Sequence, residues 1–138
     1  MSNALIRQGL ETRLKTWADA QIPVIPIAFQ NQTFTPPTTR FIRAFMLPGN
    51  SDSLDLARTH RKFVGIFQCS LYLPEGAGSG AGEVLVAALD TLFTTAAPII
   101  VGTLQIFITR PMSAAPAIEL PNRYMIPVSL EYNAHTTP

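Results

Sequence analysis

The longest candidate strand in this sequence reads THRKFVGIFQCSLYL, residues 59–73. It contains no proline and is rich in aromatic and β-branched residues, which favour an extended chain. A straight strand of this length spans about 50 Å at ~3.3 Å per residue. A compact globule of this chain length, by contrast, is only about 37 Å across. We therefore expect either a bulge at Gly65 that bends the strand or a projecting hairpin arm at its basic end, residues 58–62.

Other strands are predicted on both sides of this stretch. Residues 40–47 are mostly apolar on both faces, which predicts a central strand or a strand whose second face is covered. Residues 25–29 are a weaker candidate. Residues 104–109 and 123–132 form two further strands, and the last alternates as a strand with one buried face does. Pro127 lacks a backbone donor, so we expect it at a sheet edge or at a bulge.

Two stretches have the period of an amphipathic helix. The first runs from a capping Ser2 to about Ala20, and its apolar stripe consists of Leu5, Ile6, Leu10, Leu14 and Trp17. The second covers residues 83–93 and follows residues 74–82, a glycine-rich stretch that we interpret as a flexible linker. This order of elements predicts an α+β fold in a single domain, residues 1–138. We expect a mostly antiparallel sheet with two helices packed on one face, plus the long strand or hairpin arm.

The composition favours a protein that assembles with other subunits. The chain has 138 residues and a mass of 15.0 kDa, with 47% hydrophobic and 14% charged residues. Ordinary soluble domains carry roughly 25% charged residues. This balance excludes disorder and leaves apolar surface available for other chains. The net charge of +1 lacks the strong basic footprint of a nucleic-acid binder.

Targeting signals and membrane spans are not predicted. The single Cys69 cannot form an intramolecular disulfide, and the first residues lack the pattern of a secretory signal. We therefore expect synthesis in a reducing cytoplasm. The uncharged stretch between Asp90 and Arg110 is interrupted by Pro98 and Gly102, which favours a helix end, a turn and a buried strand over a membrane span.

A search for catalytic, cofactor and metal sites predicts none. The glycines of residues 76–82 fit neither the P-loop nor the G-x-G-x-x-G spacing, so a phosphate-binding loop is less favoured than a linker. Cys69 and His60 are nine residues apart, or roughly 30 Å on a straight strand, which is too far for a thiolate and its base. We expect Cys69 to be a small buried hydrophobe. His135 has no partner at metal-ligand spacing, and the carboxylates show no acid–base pair.

The densest basic cluster is Arg58, His60, Arg61 and Lys62. One interpretation is a solvated strand entrance that resists pairing between sheet edges. The other is an interface with an acidic protein surface. We prefer a protein partner to nucleic acid, because there is only one such cluster and few aromatic residues accompany it. These four residues are the candidate interface.

Several stretches resemble one family of small phage proteins. The opening helix reads Ser2-Asn3-Ala4-Leu5-Ile6-Arg7, Leu10-Glu11-Thr12-Arg13-Leu14 and Trp17-Ala18. The later matching positions follow in the same order: Phe34-Thr35-Pro36-Pro37, Arg40-Phe41, Thr59-His60-Arg61, Gly65, Phe67-Gln68, Ser70, Arg110-Pro111-Met112, Tyr124 and Pro127-Val128. Over nearly the whole chain, the sequence resembles the tail-terminator-like family of long-tailed phages and prophages.

The resemblance implies a structural virion protein without catalysis or cofactors. Such proteins form a hexameric ring on the last ring of tail-tube protein, stop its polymerisation and present a surface to head-completion or connector proteins. It implies a place at the head-proximal end of the tail, synthesis in the host cytoplasm, no membrane, and DNA only as it passes through the ring lumen.

Two alternatives stay open. One is another ring-forming tail component, such as a tail-tube or head–tail connector protein, because fold does not fix function. The other, much less favoured, is a small-ligand enzyme that uses the loop of residues 76–82.

Overall fold

A computed structural model describes residues 3–49, 52–53, 61–74, 76, 80–93 and 98–136 of the chain. These residues form two helices and eight strands. In chain order the elements are α1 (Asn3–Asp19), β1 (Ile27–Phe29), β2 (Phe41–Pro48), β3 (Asp52–Ser53), β4 (Arg61–Pro74), α2 (Gly80–Phe93), β5 (Ile99–Val101), β6 (Leu104–Ala114), β7 (Ile118–Leu120) and β8 (Arg123–Thr136).

The strands form one mixed sheet. Its order is β1-β2-β4-β8-β6-β5, with β3 paired to β4 and β7 paired to β8. β1 is parallel to β2, whereas the other described pairs are antiparallel. The α+β class is confirmed, but the mostly antiparallel sheet is corrected to a mixed one. The connection of residues 30–40 is long enough to return the chain for a parallel pairing, which a tight hairpin cannot do.

The longest predicted strand, β4, pairs with β8 without a register shift. β4 and β8 are joined in an unshifted register from Lys62 opposite His135 to Pro74 opposite Arg123, so the predicted bulge at Gly65 is wrong. Gly65 lies directly opposite Tyr132. A Cβ atom on Gly65 would lie 2.5 Å from the Tyr132 hydroxyl and 2.7 Å from the Leu47 carbonyl oxygen. Gly65 therefore makes room for the Tyr132 side chain, and it does not interrupt the strand register.

The beginning of β4 belongs to a hairpin with β3. Asp52 pairs with Lys62 and Ser53 with Arg61. The connecting residues 54–60 lie outside the described residues, so an arm that projects from the body stays a prediction.

Pro127 lies at the centre of the sheet, because β8 runs between β4 and β6. The predicted edge position is therefore wrong. The Pro127 carbonyl accepts a hydrogen bond of 2.8 Å from the Ala115 amide, and a strand residue directs its nitrogen and its carbonyl to the same side. On that side β6 has ended at Ala114 and β7 has not yet begun at Ile118. The missing donor of the proline thus faces a break in the neighbouring strands.

Both helices pack on the same face of the sheet, which we call the inner face. Four residues of the predicted α1 stripe or its continuation are fully buried, as are three of α2: Ile6, Leu10, Leu14, Ala18, Leu85, Leu89 and Phe93. They form one core with alternate strand residues, among them Phe67, Cys69 and Leu71 of β4. The helix stripe and the burial of Cys69 are confirmed.

Helix α2 begins earlier than predicted. Gly80 starts the helix, so the last part of the predicted linker is helical. Gly82 is buried, and a Cβ atom there would lie 2.5 Å from Cδ1 of Ile126. This glycine lets the first turn of α2 approach β8, which the linker interpretation missed.

Candidate interaction surfaces

The opposite face of the sheet, which we call the outer face, is covered by neither helix in the part of the chain that the structure describes. Strand alternation places three zones on it. An aromatic–arginine zone lies near Pro74, where β4 ends and β8 begins, and a polar band crosses the middle. The far end, toward Lys62 and His135, combines exposed apolar residues with Glu131 and Asn133.

The aromatic–arginine zone is built on a cross-strand pair. Phe41 and Tyr72 are opposite each other in β2 and β4 and stack with ring centroids 4.6 Å apart and planes at 2°. The Arg43 guanidinium lies 5.7 Å from each of these two ring centroids. Attraction between a cation and an aromatic face contributes about 0.5–1 kcal/mol at an exposed site. The pairing of β2 and β4 thus positions two stacked rings that the Arg43 guanidinium contacts.

Residues of the preceding loop cover the same platform. Phe34 lies 5.4 Å from Phe41, centroid to centroid. Arg123 has its guanidinium 5.1 Å from the Phe41 centroid and donates a hydrogen bond of 3.3 Å to the Pro37 carbonyl. Aromatic and guanidinium contacts therefore hold the Phe34–Pro37 segment against the sheet.

The middle band of the outer face is small and polar. Ser70 is buried, and its hydroxyl accepts a 3.3 Å hydrogen bond from the Gln68 side-chain amide. Ser129 lies opposite Gln68 on β8, and Ser113 lies opposite Ser129 on β6.

The far end of the outer face exposes apolar side chains beside an ion pair, in which Arg110 Nε lies 3.5 Å from Glu131 Oε2. Leu47 is 49% exposed and Phe107 is 37% exposed. Phe45, Val64 and Ile66 are half-buried beside them. Exposed apolar surface is typical of sites where proteins contact one another. It agrees with the low charge content of the sequence.

The structure places the predicted basic cluster only in part. Arg58 and His60 lie outside the described residues. Arg61 and Lys62 are the first two residues of β4, and Lys62 lies between Asp52 of β3 and His135 of β8. The half-buried Lys62 borders the apolar end of the outer face. The part of the cluster that the structure describes is therefore next to open apolar surface.

A second surface lies at the other end of the β4–β8 pair. It is a cavity of about 720 Å³ between α2 and the strands β6, β7 and β8. Short and apolar side chains form most of its walls, including Val86, Ala87, Ala114, Ala115 and Leu120. Three carboxylates also line it: Glu83 and Asp90 on α2 and Glu119 on β7. We call this cavity the acidic groove.

Sequence reasoning did not find the acidic groove. One of its walls is β7, which has only three residues and follows a run of alanine and proline that hides any alternation. A signal was present on α2, because Glu83, Ala87 and Asp90 follow the spacing of one helix face. These α2 side chains indicate a groove only once β7 is known to form the opposite wall.

A polar cluster lies between α1 and the β1–β2 edge. Arg7 donates a 2.8 Å hydrogen bond to the Gln30 side-chain oxygen, which also accepts one of 2.9 Å from the Met46 amide. Glu11 lies 3.8 Å from Arg7; burial raises the pKa of this carboxyl, and the nearby Arg7 charge partly offsets the rise. Burial also raises the pKa of the Tyr132 hydroxyl, which has no hydrogen-bond partner among the described residues. These contacts tie α1 to the sheet.

The described residues offer little for catalysis. Cys69 is fully buried, and burial raises the pKa of its thiol far above the range of a nucleophile. In the described ranges, His, Cys, Asp and Glu residues form no group of three or more that could hold a metal ion. Neither described helix is long and apolar enough to cross a bilayer.

Comparison with known proteins identifies the relatives of this chain. A family model described as phage tail terminator protein matches residues 5–132. A solved structure with 36% sequence identity superposes with a TM-score of 0.85, and the match covers 100% of this chain and 99% of that chain. This similarity supports the fold of the chain. Among curated proteins, none matches this chain.

Proposed function

We propose that this chain, which belongs to the phage tail terminator protein family, closes the head-proximal end of a tail tube as a hexameric ring. As a member of this family it is a structural component of a phage tail. In the proposed role, the ring binds the last ring of tube protein, ends tube polymerisation and offers its opposite side to head-completion or connector proteins. DNA crosses the ring through its lumen, and no enzymatic activity or cofactor is involved.

The observation that carries this proposal is the family match, which covers all but the first four and last six residues. Two features of the molecule support it. The outer face exposes apolar residues, which are typical of a surface that other proteins cover. The Cys69 thiol is buried, and the described residues contain no group that could bind a metal ion for catalysis. Each subunit contributes residues 1–138 as one domain, made in the host cytoplasm before assembly.

We further propose that Arg58, His60, Arg61 and Lys62 contact a neighbouring subunit. Lys62 borders the exposed apolar end of the outer face, next to Val64 and Ile66. Charged residues at the rim of an apolar patch are typical of a protein interface. Heterologous contacts between different surfaces of identical subunits generate closed rings.

The decisive experiment is to delete this gene from the phage or prophage that encodes it and to measure tail length by electron microscopy. The expected result is tails longer than normal that are not joined to heads, and a plasmid copy of the gene restores both properties. Tails of normal length joined to heads would overturn the proposal.

A second experiment separates the terminator from other ring-forming tail proteins. Native mass and negative-stain images of the purified 15.0 kDa protein should show closed rings near about 90 kDa, as expected for six copies. Long open tubes would instead assign the protein to the tail tube.

A further inference from the structure

We propose that the acidic groove of one subunit receives the basic segment, residues 58–62, of the next subunit, so that one repeated head-to-tail contact closes the ring. This inference rests on the proposed function for the existence of a ring, and it names the surface that the basic segment meets.

The shape of the acidic groove suits a strand end or a turn. Its volume is about 720 Å³, and alanine side chains from α2, from β6 and from the β6–β7 connection leave it open. Val86, Leu120 and Ile126 provide apolar contact surface for the aliphatic stems of lysine and arginine.

The charge of the groove is opposite to that of the basic segment. Glu83 on α2 and Glu119 on β7 are both exposed, and neither takes part in an ion pair between described residues. Among the described residues of the lining, Arg123 is the only cation, and its guanidinium is turned to the outer face, where it contacts Phe41 and the Pro37 carbonyl. Glu83 and Glu119 are therefore available to cations from another chain.

The basic segment carries more positive charge than its own hairpin neutralises. Arg58, Arg61 and Lys62 are accompanied by His60, whereas Asp52 is the carboxylate opposite Lys62 on β3. Asp55 belongs to the connection between the two strands. Three permanent cations against these two carboxylates leave a net positive end, and complementary charges of this kind steer two surfaces together and fix their orientation.

Within one subunit, the acidic groove is far from Lys62, the described residue of the basic segment that pairs with β8. In β8 the groove residue Arg123 and the Lys62 partner His135 are twelve residues apart, which is about 40 Å along a strand. The acidic groove and the described residues of the basic segment, Arg61 and Lys62, therefore lie at opposite ends of the same strand pair. A surface at one end that fits a different surface at the other end is the arrangement that heterologous ring closure requires.

Two charge-reversed variants test the contact. The groove variant is E83K/E119K, and the segment variant is R58E/R61E/K62E. The proposal predicts that each variant alone stays monomeric at a concentration where the wild type assembles, with the association constant lowered at least about tenfold. The matched control is Asp19→Lys, a reversal on the exposed end of α1, which should assemble like the wild type.

Mixing the two variants gives a sharper result. Each variant retains one intact surface, so the two should pair through the intact segment of one and the intact groove of the other. The two reversed surfaces are again opposite in charge and should join these pairs into larger species. A single chain with all five reversals should again form rings. Sedimentation velocity measures both. Rings of the groove variant that match those of the wild type would overturn this contact and leave the proposed function standing. A wild type that stays monomeric at millimolar concentration would also overturn it. The proposed contact joins two copies of this chain and needs no other protein. Normal tail length after gene deletion would refute the proposed function separately.

Discussion

The two faces of the sheet are made from neighbouring residues of the same strands, yet only one of them is covered. Along β4, Phe67, Cys69 and Leu71 are buried beneath the helices. Ile66, one residue earlier, points to the face that no described helix covers, and Leu47 opposite it is half exposed. Apolar residues on both faces predict that both will be covered. They do not say whether the cover belongs to the same chain or to another.

The largest expected effect comes from emptying the inner face. Phe67→Ala should lower the free energy of unfolding by about 3–5 kcal/mol, because the side chain is buried and packs edge-on against Phe93 at 5.9 Å. Phe45→Ala on the outer face should cost less than about 1 kcal/mol in an isolated subunit. Urea unfolding of both variants measures the difference. Equal losses would show that the outer face is as fully packed as the inner one.

A smaller effect is expected at Gly65, where Tyr132 crosses the inner face. Gly65→Ala should cost about 1–3 kcal/mol, because the new methyl group would press on the Tyr132 hydroxyl and on the Leu47 carbonyl. Gly80→Ala is the matched control, since a Cβ atom there meets nothing within 4 Å. It should leave stability unchanged or raise it by about 0.5 kcal/mol. A loss at Gly80 as large as that at Gly65 would contradict the steric explanation.

Tyr132 also gives a prediction of the opposite sign. Tyr132→Phe should raise the free energy of unfolding by about 1 kcal/mol, because no described residue offers a hydrogen bond to the buried hydroxyl. Burial raises its pKa above 10.0, so the native state holds a proton that the unfolded state releases. The wild type should therefore lose stability as the pH rises above 10.0. The variant should lose less, and unfolding curves at pH 7 and pH 10.5 test both statements. A destabilised variant would indicate a hydrogen bond to the hydroxyl.

The smallest expected effect concerns the aromatic–arginine zone of the outer face. Arg43→Gln should lower the free energy of unfolding by about 0.5–1 kcal/mol through loss of the cation–ring contacts. Arg43→Lys keeps the charge but loses the flat guanidinium, so it should fall between the wild type and the glutamine variant. A loss of 3 kcal/mol or more would mean that this zone belongs to the core.

Sequence periodicity predicted most of the regular structure. The helix stripe of Leu10 and Leu14 and the alternation around Cys69 are long enough to define a buried face on their own. The short strands β3 and β7 were not predicted, since a strand of two or three residues has no readable period. Pro127 and Gly65 were misjudged for a shared reason. A break in a neighbouring strand and a tyrosine across the sheet are tertiary facts that local sequence does not contain.

The candidate surfaces were predictable to a lesser extent. Arg61 and Lys62 stand out because they adjoin in the chain, whereas Glu83 and Glu119 are far apart in sequence and meet only through folding. The family resemblance is the basis of the proposed function, and it names no interface residue. A groove formed by elements that are distant in sequence can be identified only from the folded structure.

The unshifted pairing of β4 and β8 has a metric consequence. Because side chains in a strand alternate between faces, one added residue would turn the whole inner face outward, whereas two added residues in each strand would preserve it. The separation between the ends of this strand pair can therefore change only in steps of about 7 Å. Any assembly that joins one end of the subunit to the other end of its neighbour inherits this unit of length, and its diameter is set in increments.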